Sequence, residues 1–302
     1  MLYNKKTSVM IALGLMAGSV LSSCTYDDFV ENEFEYTAVY LPKTEIARTF
    51  IMDEGMRIGV GVVLGGRLSN DRDVDVTFSL VPEVATGAGY TVLPGDYYAL
   101  EGPGGEPVTN TITIPGGKVQ GFVYVKADSA AFLGDPLSLG YNYALSFRLE
   151  EAIGADSILA DLTTTTISFS YINQLYGNYV QLGRINRSEN GSPLDPLLYP
   201  GGIDDVVELT MHAPDTLVVN GIGQSRQQED KMKIAIRADN SISIVSMPGA
   251  TPVTDDGGSK FNRAEREILL NYSFERDGIV HSARDTLAFR NRVVDGVNQF
   301  DI

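Results

Sequence analysis

Tryptophan is absent from the 302-residue chain, cysteine occurs once and histidine twice. One thiol and two imidazoles leave little room for zinc or thiol chemistry. Catalytic zinc normally takes three protein ligands of His, Glu or Cys type, and no His-Glu-x-x-His motif occurs. The missing tryptophan removes the strongest aromatic platform for a sugar ring and leaves tyrosine, a flat ring with a polar tip, as its substitute. Positive charge is also scarce, with 23 Lys and Arg against 39 Asp and Glu and a net charge of −16. That balance argues against nucleic-acid binding, which needs clustered cations, and against attachment to anionic lipid head groups. No Gly-x-Ser-x-Gly elbow is found. The nearest approach, Pro136-Leu137-Ser138-Leu139-Gly140, lacks the first glycine. His212 and His281 read as isolated residues at strand ends. A glycosidase needs two carboxylates across a deep cleft, and no such cleft is indicated. We therefore expect no enzyme, no catalytic residue, no cofactor and no metal site.

What is present points to β structure: 31 Gly and 13 Pro for turns, with 15 Tyr and 12 Phe. Val74-Asp75-Val76-Thr77-Phe78-Ser79-Leu80 alternates apolar and polar residues, as a half-buried strand does. Further strands are expected at Val39–Leu41, Met56–Leu64, Thr109–Ile114, Gln120–Lys126, Tyr143–Leu149 and Thr163–Tyr171. After Asn173-Gln174 the pattern restarts at Leu175. It continues through Val206–His212, Thr216–Val219, Lys231–Arg237, Ser241–Ser246, Glu267–Phe274 and Thr286–Arg292. No stretch carries a long amphipathic helix pattern.

The first residues combine Lys5-Lys6, an apolar run from Val9 to Leu21, and Leu21-Ser22-Ser23-Cys24. This is the layout of an export signal, and its apolar run is too short to span a bilayer. Leu-Ser-Ser-Cys resembles the bacterial lipobox, which implies that Cys24 is lipidated and becomes the N-terminus. The acidic stretch Asp27-Asp28-Phe29-Val30-Glu31 resembles the surface-export signal of Bacteroidetes lipoproteins. Residues 1–23 are thus expected to be a signal peptide and 24–35 an acidic tether. The protein is then anchored in the outer membrane by lipid alone, facing the exterior.

Gly95-Asp96-Tyr97, a strand ending in Pro115-Gly116-Gly117, and Tyr143-Ala144-Leu145-Ser146-Phe147 follow one another in an order that resembles a Calx-beta-type immunoglobulin-like domain. Tyr176-Gly177-Asn178-Tyr179, with the closing strands around Leu270 and Leu287, resembles a lipocalin-like domain. Together they resemble a family of Bacteroidetes surface lipoproteins associated with glycan-utilisation systems. The resemblance implies an all-β protein, with an immunoglobulin-like (Calx-beta-type) sandwich over 36–172 and an antiparallel lipocalin-like barrel over 173–302.

Two stretches are candidate sugar contacts. Tyr97 and Tyr98 flank Pro94-Gly95-Asp96, and read either as a platform or as packing residues. The stretch Asn190–Gly202, with Asp195 and Tyr199, reads as a long apolar loop, either displayed or folded across its own barrel. Asp71, Asp73 and Asp75 have the opening spacing of a calcium loop, but Val76 and Pro82 stand where Gly and Glu are required, so they read as a solvated face. Asp-Ser/Thr-apolar recurs at Asp128, Asp156, Asp215 and Asp285 and resembles an O-glycan acceptor motif. The function the resemblance implies is non-catalytic binding of a polysaccharide or oligosaccharide, beside an outer-membrane transporter and companion surface lipoproteins. The alternative is a structural or adhesive lipoprotein that contacts another protein.

Overall fold

A computed structural model of the chain describes residues 36–300 apart from Ser69; the leader, tether and Cys24 lie outside them. The first eleven strands begin with β1 (Ala38–Tyr40), β2 (Glu45–Ile51), β3 (Arg57–Gly65), β4 (Val74–Leu80), β5 (Thr91–Val92) and β6 (Tyr98–Glu101). They end with β7 (Thr111–Ile114), β8 (Gln120–Ala127), β9 (Tyr143–Ile153), β10 (Ser157–Ile158) and β11 (Thr164–Ile172). Two short helices interrupt them, α1 (Pro82–Gly87) and α2 (Ser129–Gly134).

These strands build a sandwich. One sheet has the order β10-β1-β3-β8-β6 and the other β2-β11-β9-β4-β7. The cause is the period of two: β3 buries Ile58, Val60, Val62 and Leu64 and turns Arg57, Gly59, Gly61 and Val63 outward. The inner faces meet in a core where Phe50 stacks on Phe169 at 5.4 Å. Phe132 closes over Phe50 edge-on at 5.2 Å. Strand β2 was not foreseen, because Glu45 and Arg48 break its apolar pattern; it is an edge strand, paired in parallel with β11.

The second set comprises β12 (Gly177–Glu189), β13 (Ser192–Tyr199), β14 (Val206–Ala213), β15 (Thr216–Val219), β16 (Met232–Ile236) and β17 (Ile242–Ser246). It continues with β18 (Val253–Asp255), β19 (Lys260–Asn262), β20 (Glu267–Arg276), β21 (Ile279–Val294) and β22 (Val297–Gln299). Eight of them run in the order β17-β16-β15-β14-β12-β21-β20-β18. The curl nearly closes where β17 meets β18: Asp255 accepts the Ile244 amide at 2.9 Å, and Ser246 bonds both the carbonyl and the amide of Val253 at 2.8 Å. Side chains replace the missing ladder at this seam. The interior is filled by fully buried Tyr179, Tyr272, Leu209, Leu217, Ile234 and Leu287. The structure is therefore all-β, a sandwich followed by a nearly closed barrel: the strand spacing indicated the first and the family resemblance implied the second.

The reading of Asn190–Gly202 as a loop is corrected. Ser192–Tyr199 is a strand laid antiparallel on β12. Its Pro193 and Pro196 are tolerated because β13 pairs on one side only.

Candidate functional site

The outward face of the first sheet carries exposed aromatic rings between two concavities. On β8, Val123 and Val125 point into the core, so Phe122 and Tyr124 must point out. On β3 the same parity places Gly59 and Gly61 opposite them, since Gly59 pairs with Tyr124 and Gly61 with Phe122. Glycine weakens a strand unless something must approach its backbone closely. Here the rings do so. A Cβ at Gly61 would lie 2.9 Å from the Phe122 ring, and one at Gly59 would lie 3.1 Å from Tyr124. The two rings stand 6.1 Å apart, inclined by 33°.

Arg57 fixes the far end of this surface. Its guanidinium lies 3.6 Å from the centre of the Tyr124 ring and pairs with Glu101 at 3.2 Å. It also donates to the Gly102 carbonyl. The contact is a cation–π stack held by a carboxylate, so Tyr124 is anchored while Phe122 keeps an open side.

Phe122 and Gln120 form a ridge between two concavities. One, of about 280 Å³, opens because β1 pairs only with Val63–Gly65 and leaves Gly59–Val62 without a neighbour on that side. Lys43 and Arg48 stand at its rim. The other, of about 340 Å³, lies toward Thr113, Pro115 and Lys118. Together they make a groove with an aromatic ridge, the Gln120 amide and scattered cations, the chemistry that suits an elongated polar ligand with apolar faces.

The residues singled out in the sequence lie elsewhere. Tyr97 packs at the edge of the sandwich core, donates to Asp135 at 3.1 Å, and meets Tyr143 edge-on. Tyr143 donates to the same carboxylate at 2.5 Å; that hydrogen bond, more than burial, pushes its phenol up to about 12. Asp135 is held below the usual carboxylate range by the Tyr143 hydrogen bond and by the Leu137 amide. Tyr98 is half-buried on edge strand β6 and packs inward. Both tyrosines take the packing role. Tyr199 is corrected outright as a surface ring: it is 1% exposed inside the barrel. Asp195 is exposed on β13, where its carbonyl accepts from Arg187 at 2.9 Å. Tyr97 and Tyr98 belong to the sandwich, Asp195 and Tyr199 to β13, and the two pairs form no common site.

The other candidates also have structural partners. Asp73 accepts the Gly116 amide and Asp75 the Thr113 hydroxyl, both at 2.7 Å. Asp128 caps α2 through the Ala131 amide. His281 stacks on Phe274 at 4.7 Å, and burial lowers its pKa. Asp285, in one of the four acceptor-like motifs, is buried at the centre of the barrel. No group of three or more His, Cys, Asp or Glu suited to a metal ion occurs among the described residues. No helix among them is long and apolar enough to cross a membrane.

Phe122 and Tyr124 were missed, although the signal was present. Gln120–Lys126 was recognised as a strand, and its alternation puts Val123 and Val125 on one side and the aromatics on the other. Outward aromatics opposite outward glycines mark a surface that a simple sandwich does not need.

A family model of an N-terminal domain matches residues 31–156, most of the sandwich. No curated protein matches the chain. Among solved structures, a Bacteroides ovatus protein of unknown function is 18% identical with a TM-score of 0.66, covering 87% of this chain and 96% of its own. An auxiliary nutrient binding protein from Bacteroides thetaiotaomicron is 12% identical with a TM-score of 0.42, covering 84% of this chain and 92% of its own. The apo form of the Calx CBD1 domain is 12% identical with a TM-score of 0.29, covering 46% of this chain and 99% of its own. The resemblance read from the sequence is borne out at the level of the fold: the Bacteroides ovatus structure shares it over most of the chain, and the family model covers an N-terminal domain.

Proposed function

We propose that the protein captures oligosaccharide without catalysis, on the outer face of the sandwich. Anchored by lipid at Cys24, it displays that face outside the outer membrane and hands ligand to a neighbouring transporter. One observation carries the reading: Phe122 and Gln120 form a ridge between two adjoining concavities, with the aromatic ring seated on glycine. A pyranose has an apolar C–H face and a rim of hydroxyls; Phe122 answers the first, while Gln120, Lys43 and Lys118 answer the second. The groove continues on both sides of the ridge, which suits a chain of sugars better than a single one. The site needs no nucleophile or general acid, and the protein acts as a binder.

The test is a glycan array followed by titration calorimetry of the best ligand on the full-length protein and on Phe122→Ala. Truncating the ring is expected to weaken binding about tenfold, corresponding to about 1.4 kcal/mol. Tyr97→Phe should leave affinity unchanged, because its hydroxyl serves Asp135. Equal affinity of Phe122→Ala and the parent would remove the groove from the function.

A second reading has its own support. Edge strand β13 and the turn after it expose Leu198 at 67% and Ile203 at 77%. An apolar strip on an open sheet edge is a surface on which a protein partner adds a strand. Adhesion through β13 gives no saturable glycan binding, and Leu198→Asp abolishes cross-linking to the partner.

A further inference from the structure

A second cleft lies at one end of the barrel, where Phe261, Phe289 and Leu175 form an apolar floor under Arg263, Arg266 and Gln174. Its volume is about 160 Å³, the scale of one small ring. Both arginines lie in a chain of net charge −16. Among the described residues, Arg48, Arg57, Arg67, Arg148, Arg276 and Arg292 pair with carboxylates. Arg263 and Arg266 belong to the remainder, which do not, and they are brought together over one apolar cleft.

Arg263 is nonetheless oriented. Its Nε donates to the Asn240 side-chain oxygen at 2.7 Å, and its guanidinium carbon lies 5.5 Å from the centre of the Phe261 ring. Both terminal nitrogens of the fork remain free. Arg266 occupies a left-handed backbone position with φ of 53°, where Gly or Asn is the usual choice. A turn needs no arginine there, so the side chain calls for another explanation. Guanidinium forks pair with carboxylates in a bidentate manner, and a planar anion above an apolar floor satisfies them best.

The cleft has a neighbour of different character. An adjoining concavity of about 250 Å³ shares Gln174, Leu175, Phe261 and Arg263 and adds Asp53, Asp215 and Arg237. Its two carboxylates accept hydrogen bonds from hydroxyls, which the first cleft has no carboxylate to do. The pair of concavities thus asks for a ligand that is anionic at one end, hydroxylated at the other and apolar on one face between. We propose that this cleft binds a uronic acid residue, with its carboxylate on Arg263 and Arg266, its C–H face on Phe261 and its hydroxyls toward Asp53 and Asp215. The choice of a sugar among hydroxylated carboxylates rests on the oligosaccharide reading above; the anionic end does not.

The experiment titrates the full-length protein with glucuronic acid, galacturonic acid, glucose and inorganic phosphate, each followed by calorimetry. It is repeated on Arg263→Gln, Arg266→Gln and Phe122→Ala. All three positions are on the surface, and circular dichroism confirms that each variant is folded. A uronic acid is expected to bind saturably and at least about tenfold more tightly than glucose. Either arginine substitution should weaken it about tenfold, the effect of losing a charge-assisted pair, and Phe122→Ala should not. Equal binding of uronic acid and glucose, or uronic acid affinity that survives both arginine substitutions, overturns the proposal. Phosphate binding as tightly as uronic acid also overturns it, by showing a generic oxyanion seat. The two sites fail separately: neutral oligosaccharide binding tests Phe122, and uronic acid binding tests the arginines.

Discussion

Asp285→Ala is expected to destabilise the barrel by about 3–5 kcal/mol, the cost of breaking a buried, hydrogen-bonded charge network. Asp285 is 3% exposed and accepts from three side chains across the interior. Gln181 Nε2 and the Tyr272 hydroxyl each donate to Oδ2 at 2.7 Å, and the Tyr199 hydroxyl donates to Oδ1. Tyr272 in turn accepts the Gly223 amide at 2.6 Å, and Gln181 accepts from Arg226. These residues come from β12, β13, β20, β21 and the turn after β15, so one carboxylate ties together strands that no single hairpin joins. Alanine removes the acceptor and leaves the O–H donors of two buried tyrosines and the Gln181 N–H without one. Asp285→Asn keeps one acceptor oxygen and should cost about half as much. Urea unfolding followed by tyrosine fluorescence measures both; a loss under about 1 kcal/mol for alanine would show that water enters and satisfies the phenols.

The same carboxylate sets a pH dependence. Burial pushes the pKa of Asp285 above the usual carboxylate value, while the hydrogen bonds from Tyr199, Tyr272 and Gln181 pull in the opposite direction without cancelling it. The folded protein therefore holds this proton to a higher pH than the unfolded chain does. The group's contribution is greatest in acid, falls as pH rises through the interval above the ordinary carboxylate pKa, and is level beyond it. The stability difference between the parent and Asp285→Asn, measured against pH, should show that slope. A difference that instead grew as pH rose would mean that the hydrogen bonds outweigh burial.

Alternation explains why so much of the fold was legible. Val74–Leu80 and Gln120–Lys126 bury every second residue, and β4 and β8 lie there. Strands whose pattern depends on position in the sheet were harder to see. Glu45 and Arg48 suit an edge, and Pro193 and Pro196 suit a strand with one free side, but an edge is defined only once its neighbours are known. The same limit applied to function. Tyr97, Tyr98 and Tyr199 drew attention as aromatics beside turns, yet a phenol beside a turn can be held by a carboxylate far away in sequence, as Tyr199 is by Asp285. Phe122 and Arg263 acquire meaning only from what lies against them, Gly61 in one case and Phe261 in the other.

Phe132→Ala is the second substitution with a large expected effect, and with Asp285→Ala it asks whether the two cores unfold separately. Phe132 is fully buried on α2, a six-residue helix too short to be stable by itself. Asp128 caps its start, and the Phe132 ring docks it by edge contacts to Phe50 at 5.2 Å and Tyr171 at 6.2 Å. Truncation removes the ring and leaves a cavity between the sheets, at a cost of about 3–5 kcal/mol. The loss reaches further, because Asp135 ends the same helix and holds both Tyr97 and Tyr143. Aromatic clusters of this kind link β2, β11 and the helix, yet none of the rings touching Phe132 belongs to the barrel. Among the described residues, two ion pairs join the barrel to the sandwich, Arg292 with Glu54 at 2.9 Å and Arg48 with Asp295 at 3.2 Å, and the half-buried Met211 packs against both cores. Arg48 is partly exposed and its pair contributes little. Arg292 is 2% exposed, but its partner Glu54 is open to solvent at 39%. Links of that strength are weaker than either core, so calorimetry should resolve two transitions. Phe132→Ala should lower one and Asp285→Ala the other; a single transition that both variants shift alike would show that these few contacts are enough to make the cores melt as one.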